Sequence, residues 1–402
     1  MKSTKLINIG ILLTYNSENK KMELLRNIDL VIEKNKIKEI GSNLGSADKL
    51  IDCENCLVTP GFVDPHTHPV FLKPRKKEVL KRLDGYTYEE INNSGGGINN
   101  SINDVRLSTE KQLFDKVKSR MDQFLSLGTT TIECKSGYGL DLNSELKSLS
   151  IIDSVNQSHK IDMVATFMGA HAFPREYRDN KDGYVKLICE KMIPAVSKQG
   201  IAKFNDVFCE KGFFNENQSI KILTVGKKYG LIPRIHADEL SNSNGAKVAN
   251  IVGAISADHL MKVNEKGIEY LSKSDTICIL LPGTTFYLGK KSYAPYKKLR
   301  DANIEIALAT DFNPGSCYIK SIPFIISLAC FYLKMTVNEA IKSATFNSAK
   351  SLMLDNEVGS LEKNKKADII IWKINDPIEI PMNISNQIIS KVIKNGSVVF
   401  KS

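Results

Sequence analysis

At 402 residues, 42% of them hydrophobic, the chain can bury a sizeable core and hold one large barrel beside an accessory domain. No stretch nears the about 18 uncharged apolar residues of a transmembrane helix, and Met1-Lys2-Ser3-Thr4-Lys5-Leu6 opens alternating strand-like sequence, not a signal-peptide block, so a cytoplasmic chain without membrane attachment is expected. The formal charge of +10 comes from scattered lysines, and even the densest run, Lys73 to Lys81, lacks aromatic interleaving or a nucleic-acid motif. It reads as solvated surface with a modest pull on an anionic small molecule, which argues against a nucleic-acid partner.

Residues 1–60 carry short β-like runs, Leu6–Ile9, Ile28–Ile32 and Lys36–Ile40, punctuated by Asn and Gly as in hairpins. Cys53-Glu54-Asn55-Cys56 has C-x-x-C spacing but neither a second such pair nor a thioredoxin-like context. Eight cysteines in a chain this long are no disulfide framework. Next comes Gly61-Phe62-Val63-Asp64-Pro65-His66-Thr67-His68. If Val63 and its neighbours are a strand, His66 and His68 project to one face.

From there the rhythm becomes strand, turn, helix. A helix is expected from about Thr109 to Leu127, with Ser108 able to cap its start and Gly128 to end it; another is expected from about Ser144. Strand candidates end near His68, Cys134, Gly169, Glu210, His236, His259, Leu280 and Thr310. Eight alternations suggest a (β/α)₈ barrel, with a doubly wound open sheet as the alternative. β-like sequence returns at Ala367–Trp372 and Ser397–Phe400.

The scarce residues fall on the predicted strand ends. His66 and His68 close the first, His171 follows the third, His236 and His259 end the fifth and sixth, and Asp311 follows the eighth; only His159 reads as ordinary surface. His66, His68, His236 and Asp311 offer three nitrogens and one oxygen to one divalent cation, zinc or iron, with room for a water. Such a cation lowers the pKa of its water to roughly 7. Glu239, three residues past His236, is placed to shuttle the proton, with His259 and Asp311 as the other candidates for moving it.

At this point the residues carry a resemblance. Gly61 to His68 resembles the signature of the amidohydrolase superfamily, the later ligands arrive in that superfamily's chain order, and Gly359-Ser360-Leu361-Glu362 leading to Ala367-Asp368-Ile369-Ile370 is similar to its composite β-domain. More narrowly, Glu133-Cys134-Lys135-Ser136-Gly137-Tyr138-Gly139, Thr166 to Ala172, His236 to Asn242, Leu281 to Gly289 and Ala309 to Ser316 resemble motifs of the imidazolonepropionase family, which opens the imidazolone ring in histidine degradation. The resemblance implies a (β/α)₈ TIM barrel over 61–348, with a small β-sandwich domain assembled from 1–60 and 349–402. It implies one metal ion, Zn2+ or Fe2+/Fe3+, on His66, His68, His236 and Asp311. Catalysis would fall to Glu239, His259 and Asp311, and substrate contacts to Arg75, Tyr138, His171, Glu239, Asn313, Gly315 and Ser316.

The implied reaction is hydrolysis of 4-imidazolone-5-propanoate to N-formimidoyl-L-glutamate by attack of metal-bound hydroxide, with Arg75 on the propionate and His171 or His259 stabilising the oxyanion. Glu210 and Lys135 are expected to be structural, and a homodimer is compatible with the resemblance. Two other readings stand beside this one: a cytosine- or guanine-type aminohydrolase on the same scaffold, and a barrel retained as an interaction protein. The complete ligand set argues against the latter.

Overall fold

The computed structural model describes residues 3–86, 90–91 and 96–402. Among them, eighteen strands form three sheets. In chain order these are β1 (Ser3–Ile9), β2 (Ile11–Asn16), β3 (Lys21–Leu25), β4 (Ile28–Glu33), β5 (Lys36–Gly41), β6 (Lys49–Asp52) and β7 (Leu57–Pro60). Then come β8 (Phe62–Asp64), β9 (Thr129–Lys135), β10 (Asp162–Ala170), β11 (Phe204–Cys209), β12 (Ile232–Ala237), β13 (Ser256–His259), β14 (Ile277–Leu280) and β15 (Ile306–Leu308). The last are β16 (Ile369–Trp372), β17 (Ile389–Lys394) and β18 (Ser397–Lys401).

Strands β8 to β15 pair in sequence order, all parallel. Past the last strand the sheet closes on itself. Thr67 bridges Phe312 in parallel, Asp311 N–H donates to the His66 carbonyl, and His68 N–H donates to that of Phe312. Asp64 reinforces the seam by accepting from the Thr310 amide (3.1 Å) and hydroxyl (2.6 Å). The doubly wound open sheet is thereby excluded, and the fold is a (β/α)₈ barrel. Every residue of β8, β9, β11 and β13 to β15 is buried, as expected of parallel strands covered on both faces.

The remaining strands form two further sheets from both chain ends, β5-β4-β1-β6 and β18-β17-β16-β7-β2-β3. They pack as a sandwich over Leu6, Leu30, Ile37, Leu12, Val58 and Ile393. Alternation in β16 joins this layer to the barrel: Ile369 and Ile371 face the sandwich core, while Ile370 and Trp372 face the main core.

The first expected helix spans Glu110–Ser126. Its cap is Thr109, in a reciprocal capping box with Gln112, rather than Ser108, whose hydroxyl turns back to the Asp104 carbonyl. Gly128 follows its end at φ +88°. The second helix, Leu142–Ser158, starts two residues before Ser144 because Asp141 caps it by accepting from the Ser144 amide. His159 is not ordinary surface. It follows this helix with its Nδ1 accepting from the Ile161 amide and its Nε2 3.1 Å from Asp122.

Candidate active site

The rim at the strand C-termini gathers the histidines. His66 and His68 lie just beyond β8, and their Nε2 atoms are 3.3 Å apart. His236, inside β12, brings its Nε2 to 3.4 Å from that of His68. Asp311, three residues past β15, places Oδ1 3.6 Å from the Nε2 of both His66 and His68. These separations match the roughly 3.4 Å edge of a tetrahedron whose metal–ligand bonds are about 2.0–2.2 Å.

The protonation of these rings follows from what lies behind them. His66 Nδ1 meets Asp258 Oδ2 at 2.6 Å and His236 Nδ1 meets Asp206 Oδ1 at 3.1 Å, so each Nδ1 carries a proton, which in a neutral ring leaves the lone pair at Nε2. Burial, then the charge of Lys135 and the neighbouring histidines, holds His66 well below the ordinary histidine pKa. Burial and His171 do the same to His68. At His236 burial also opposes the charge, but Asp206 outweighs it and raises the imidazole. His68 Nε2 thus stands 3.3–3.4 Å from the Nε2 atoms of His66 and His236 and 3.6 Å from a carboxylate oxygen, a convergence of three ring nitrogens and one oxygen. The donor set therefore fits a divalent metal. A second trio, His66, His236 and His259, also has nitrogens within 4.8 Å of one another, but it lacks the carboxylate.

Beneath the rim runs a buried ionic frame. Lys135 Nζ sits 2.8 Å from Glu133 and 2.7 Å from Asp206, all three without solvent exposure. Arg234 donates to the carbonyls of Pro65 and Ser351 and lies 3.6 Å from Asp258. Glu133 takes the Thr67 amide, pinning the residue between the two histidines. Lys135 thus belongs to a buried ionic frame and shares Asp206 with His236. Sequence reasoning missed Glu133, Asp206, Arg234 and Asp258. The available signal was charged residues inside otherwise apolar strand stretches.

One cleft is lined by His68, Arg75, Tyr138, His171, His236, Glu239, His259, Asp311, Asn313 and Ser316, with Ile98, Phe208 and Phe213 as apolar wall. Only His66, fully buried beneath, and Gly315 are absent from that lining. Glu239 Oε2 is 3.6 Å from His259 Nε2. Burial and then the charge of Asp311 push the Glu239 carboxyl up to about 7, within reach of neutral pH, while burial and His236 hold His259 well below its ordinary value. His259 and Asp311 adopt φ of +79° and +54°, a left-handed backbone unusual for side-chain-bearing residues, and both line the cleft. The second carboxylate oxygen of Asp311 is taken by the Thr284 hydroxyl, leaving Oδ1 to face the histidines.

His171 stacks on His68 with ring centroids 5.0 Å apart. Its Nδ1 lies 3.0 Å from the Gly137 carbonyl, which can only accept, so Nδ1 bears the proton. Burial, then His236, pushes its pKa down to about 3. Neutral His171 thus offers a lone pair at Nε2, which corrects the expectation that it donates to an oxyanion. Asn313 lines the cleft and also organises its own loop: its side-chain oxygen accepts the amides of Gly315, Ser316 and Cys317, and its amide group donates to the Asp311 carbonyl.

Arg75, at the far end of the cleft, is buried rather than on the surface. Its Nε lies 3.0 Å from Glu78, whose other oxygen takes the Gly97 amide at 2.8 Å. The guanidinium occupies the space a Gly315 side chain would fill, since a Cβ there would sit 1.8 Å from it. Glu210 accepts the amides of Leu240, Ser241 and Lys211 and the hydroxyls of Ser241 and Ser243. These bonds fold the segment after Glu239, which accords with a structural role. No helix among the described residues is long and apolar enough to cross a membrane.

Known proteins match this architecture. The model of the amidohydrolase family matches residues 156–399. The imidazolonepropionase of Brevibacillus brevis is 46% identical over 351 residues, covering 87% of this chain and 82% of its own. That of Geobacillus sp. is 42% identical over 391 residues, covering 95% and 92%. The solved structure of 5-methylcytosine deaminase from Klebsiella pneumoniae, liganded with phosphonocytosine, superposes with a TM-score of 0.75 at 16% identity, covering 99% of this chain and 98% of that one, a likeness of fold alone. With the family model matched over more than half the chain and relatives of this identity aligned over nearly all of it, the chain belongs to the amidohydrolase family and stands within it among the imidazolonepropionases.

Proposed function

We propose that this chain hydrolyses a cyclic C–N bond, opening the ring of 4-imidazolone-5-propanoate to N-formimidoyl-L-glutamate. The observation that carries the reading is a single cleft with a cation-fitting donor set at one end and a buried arginine at the other, in a chain 46% identical to a named imidazolonepropionase. Along with it we infer a barrel spanning 61–348 and a β-sandwich built from 1–60 and 349–402.

His66, His68 and His236 through Nε2, and Asp311 through Oδ1, would hold zinc or iron. Bound there, such an ion supplies Lewis acidity and an acidified water at neutral pH. The chain's own residues do the rest. Arg75 receives the propionate, its guanidinium ion-paired to Glu78 and seated in the space left by the missing Gly315 side chain. His171 accepts a substrate ring N–H at its lone-pair Nε2, with Tyr138 and Ser316 flanking the ring. Glu239 takes the attacking water's proton and passes it to the departing ring nitrogen, a task suited to a carboxyl whose pKa is pushed up to about 7. His259, 3.6 Å from Glu239, orients that carboxyl and the water. Asp311, with one oxygen tied to Thr284, serves as ligand more than as base.

The test is turnover by the metal-loaded chain: loss of imidazolone absorbance without ammonia release is expected. Ammonia release from a heterocyclic amine, without ring opening, would favour an aminohydrolase. No turnover by folded, metal-loaded protein would overturn the proposal.

A further inference from the structure

The loop 137–140, which carries Tyr138 into the cleft, is held by groups that do not themselves line it. Gly137 has φ +100° and Leu140 φ +51°, so local backbone preference does not account for the loop's shape. Every amide it could satisfy around Tyr138 converges instead on one side chain. The Glu145 carboxylate, without solvent exposure in the first turn of the helix Leu142–Ser158, accepts from Gly137 (3.0 and 3.1 Å), Gly139 (2.8 Å) and Leu140 (2.9 Å). On the opposite edge Arg106 takes the carbonyls: its Nε donates to Gly139 O (2.7 Å) and its Nη2 to Leu140 O (3.2 Å), with Asp141 and Glu176 fixing the guanidinium. A third carbonyl, Gly137 O, receives His171 Nδ1. A buried anion encircled by N–H donors and a cation gripping carbonyls form a two-sided mould around four residues.

We propose that Glu145, with Arg106 as its outer counterpart, is a positioning residue of the substrate site, moulding the 137–140 loop so that Tyr138 is presented to the ring that the cleft binds. This rests on the functional reading above for what Tyr138 touches, but not for the mould itself. The carboxylate is required because all its partners donate. Glutamine in the same place keeps one acceptor, Oε1, shared by Gly139, Leu140 and Gly137, and turns an NH₂ toward the Gly137 amide where Oε2 had accepted.

The experiment measures two things on metal-loaded protein, steady-state kinetics and backbone-amide exchange of residues 137–140. For Glu145→Gln the metal content is expected to stay at the wild-type level, while the loop amides exchange about tenfold faster or more. KM is expected to rise about tenfold with a smaller fall in kcat, and that rise should shrink in a Tyr138→Phe background, the non-additivity of residues acting through one another. Arg106→Met, partly exposed, should show the same signature more weakly. Unchanged exchange, a KM rise carried over in full to the Tyr138→Phe background, or a Glu145→Gln chain that no longer folds would each overturn the assignment, the last because it marks the carboxylate as needed by the whole fold. If the wild-type chain has no turnover, the functional reading fails while the exchange measurement still decides the mould.

Discussion

The two ends of the cleft are built by different means. At the metal-fitting end His236 lies within a barrel strand and His66, His68 and Asp311 just beyond strands, with Asp206, Asp258, Lys135 and Arg234 fully buried behind them. At the other end Arg75 lies on the loop after β8, held by one ion pair to Glu78, one close approach to Gly315 and the hydrogen bond of its amide to Pro314 O. One end is fixed by the sheet, with its supports spread over four strands. The other depends on two loops keeping their distance. On the proposed reading, reaction type would reside in the part hardest to alter, and substrate preference in the part that tolerates alteration.

Breaking the first end should have the largest effect. His66→Ala or Asp311→Ala, like removal of metal by a chelator, is expected to abolish turnover and lower bound metal, read by metal analysis beside an activity assay. Only the chelated protein should recover when metal is restored. Breaking the second end should spare the metal. Arg75→Ala is expected to raise KM by an amount equivalent to roughly 2–5 kcal/mol if the substrate carboxylate is buried against it, with metal content unchanged. An unchanged KM would show that the carboxylate lies elsewhere. Between these stands Asp258→Asn, which keeps the size of the group behind His66 but weakens its hold on Nδ1. Metal affinity measured against a competing chelator should fall about 10–100-fold, and a variant binding metal as tightly as the parent would show that the ring is oriented by the backbone alone.

How much of this was legible in the sequence follows the same division. The convergence of the candidate ligands could be read because histidine is scarce here and strand ends recur at spacings that hydrophobic patterning reveals. The frame behind them could not. Asp258 reaches His66 across 192 residues, and Asp206 looks like any charged residue in Phe204-Asn205-Asp206-Val207 until the barrel closes. Strands β2 and β7 escaped notice because they are buried almost throughout, so the alternation that marks a half-exposed strand is missing. Arg75 and Glu78 were hidden in a lysine-rich run whose neighbours Lys73, Lys76 and Lys77 are indeed exposed. Only the resemblance singled out Arg75, and nothing in the spacing singled out Glu78.

The smallest expected effect gives the sharpest contrast between the two ends. Gly315 has no unusual backbone angle that would exclude a side chain; what excludes one is the Arg75 guanidinium, whose nearest atom lies 1.8 Å from where a Cβ would be. In Gly315→Ala one of the two must move, and the far end of a flexible arginine gives way more cheaply than backbone held by the side-chain oxygen of Asn313. Arg75 should swing off its seat while still charged and still near Glu78. KM is then expected to rise about tenfold, equivalent to ~1.4 kcal/mol, with kcat, metal content and thermal stability close to those of the parent. A fall in kcat at unchanged KM would mean that the loop strain had reached Asp311, four residues away, and that the two ends are mechanically one.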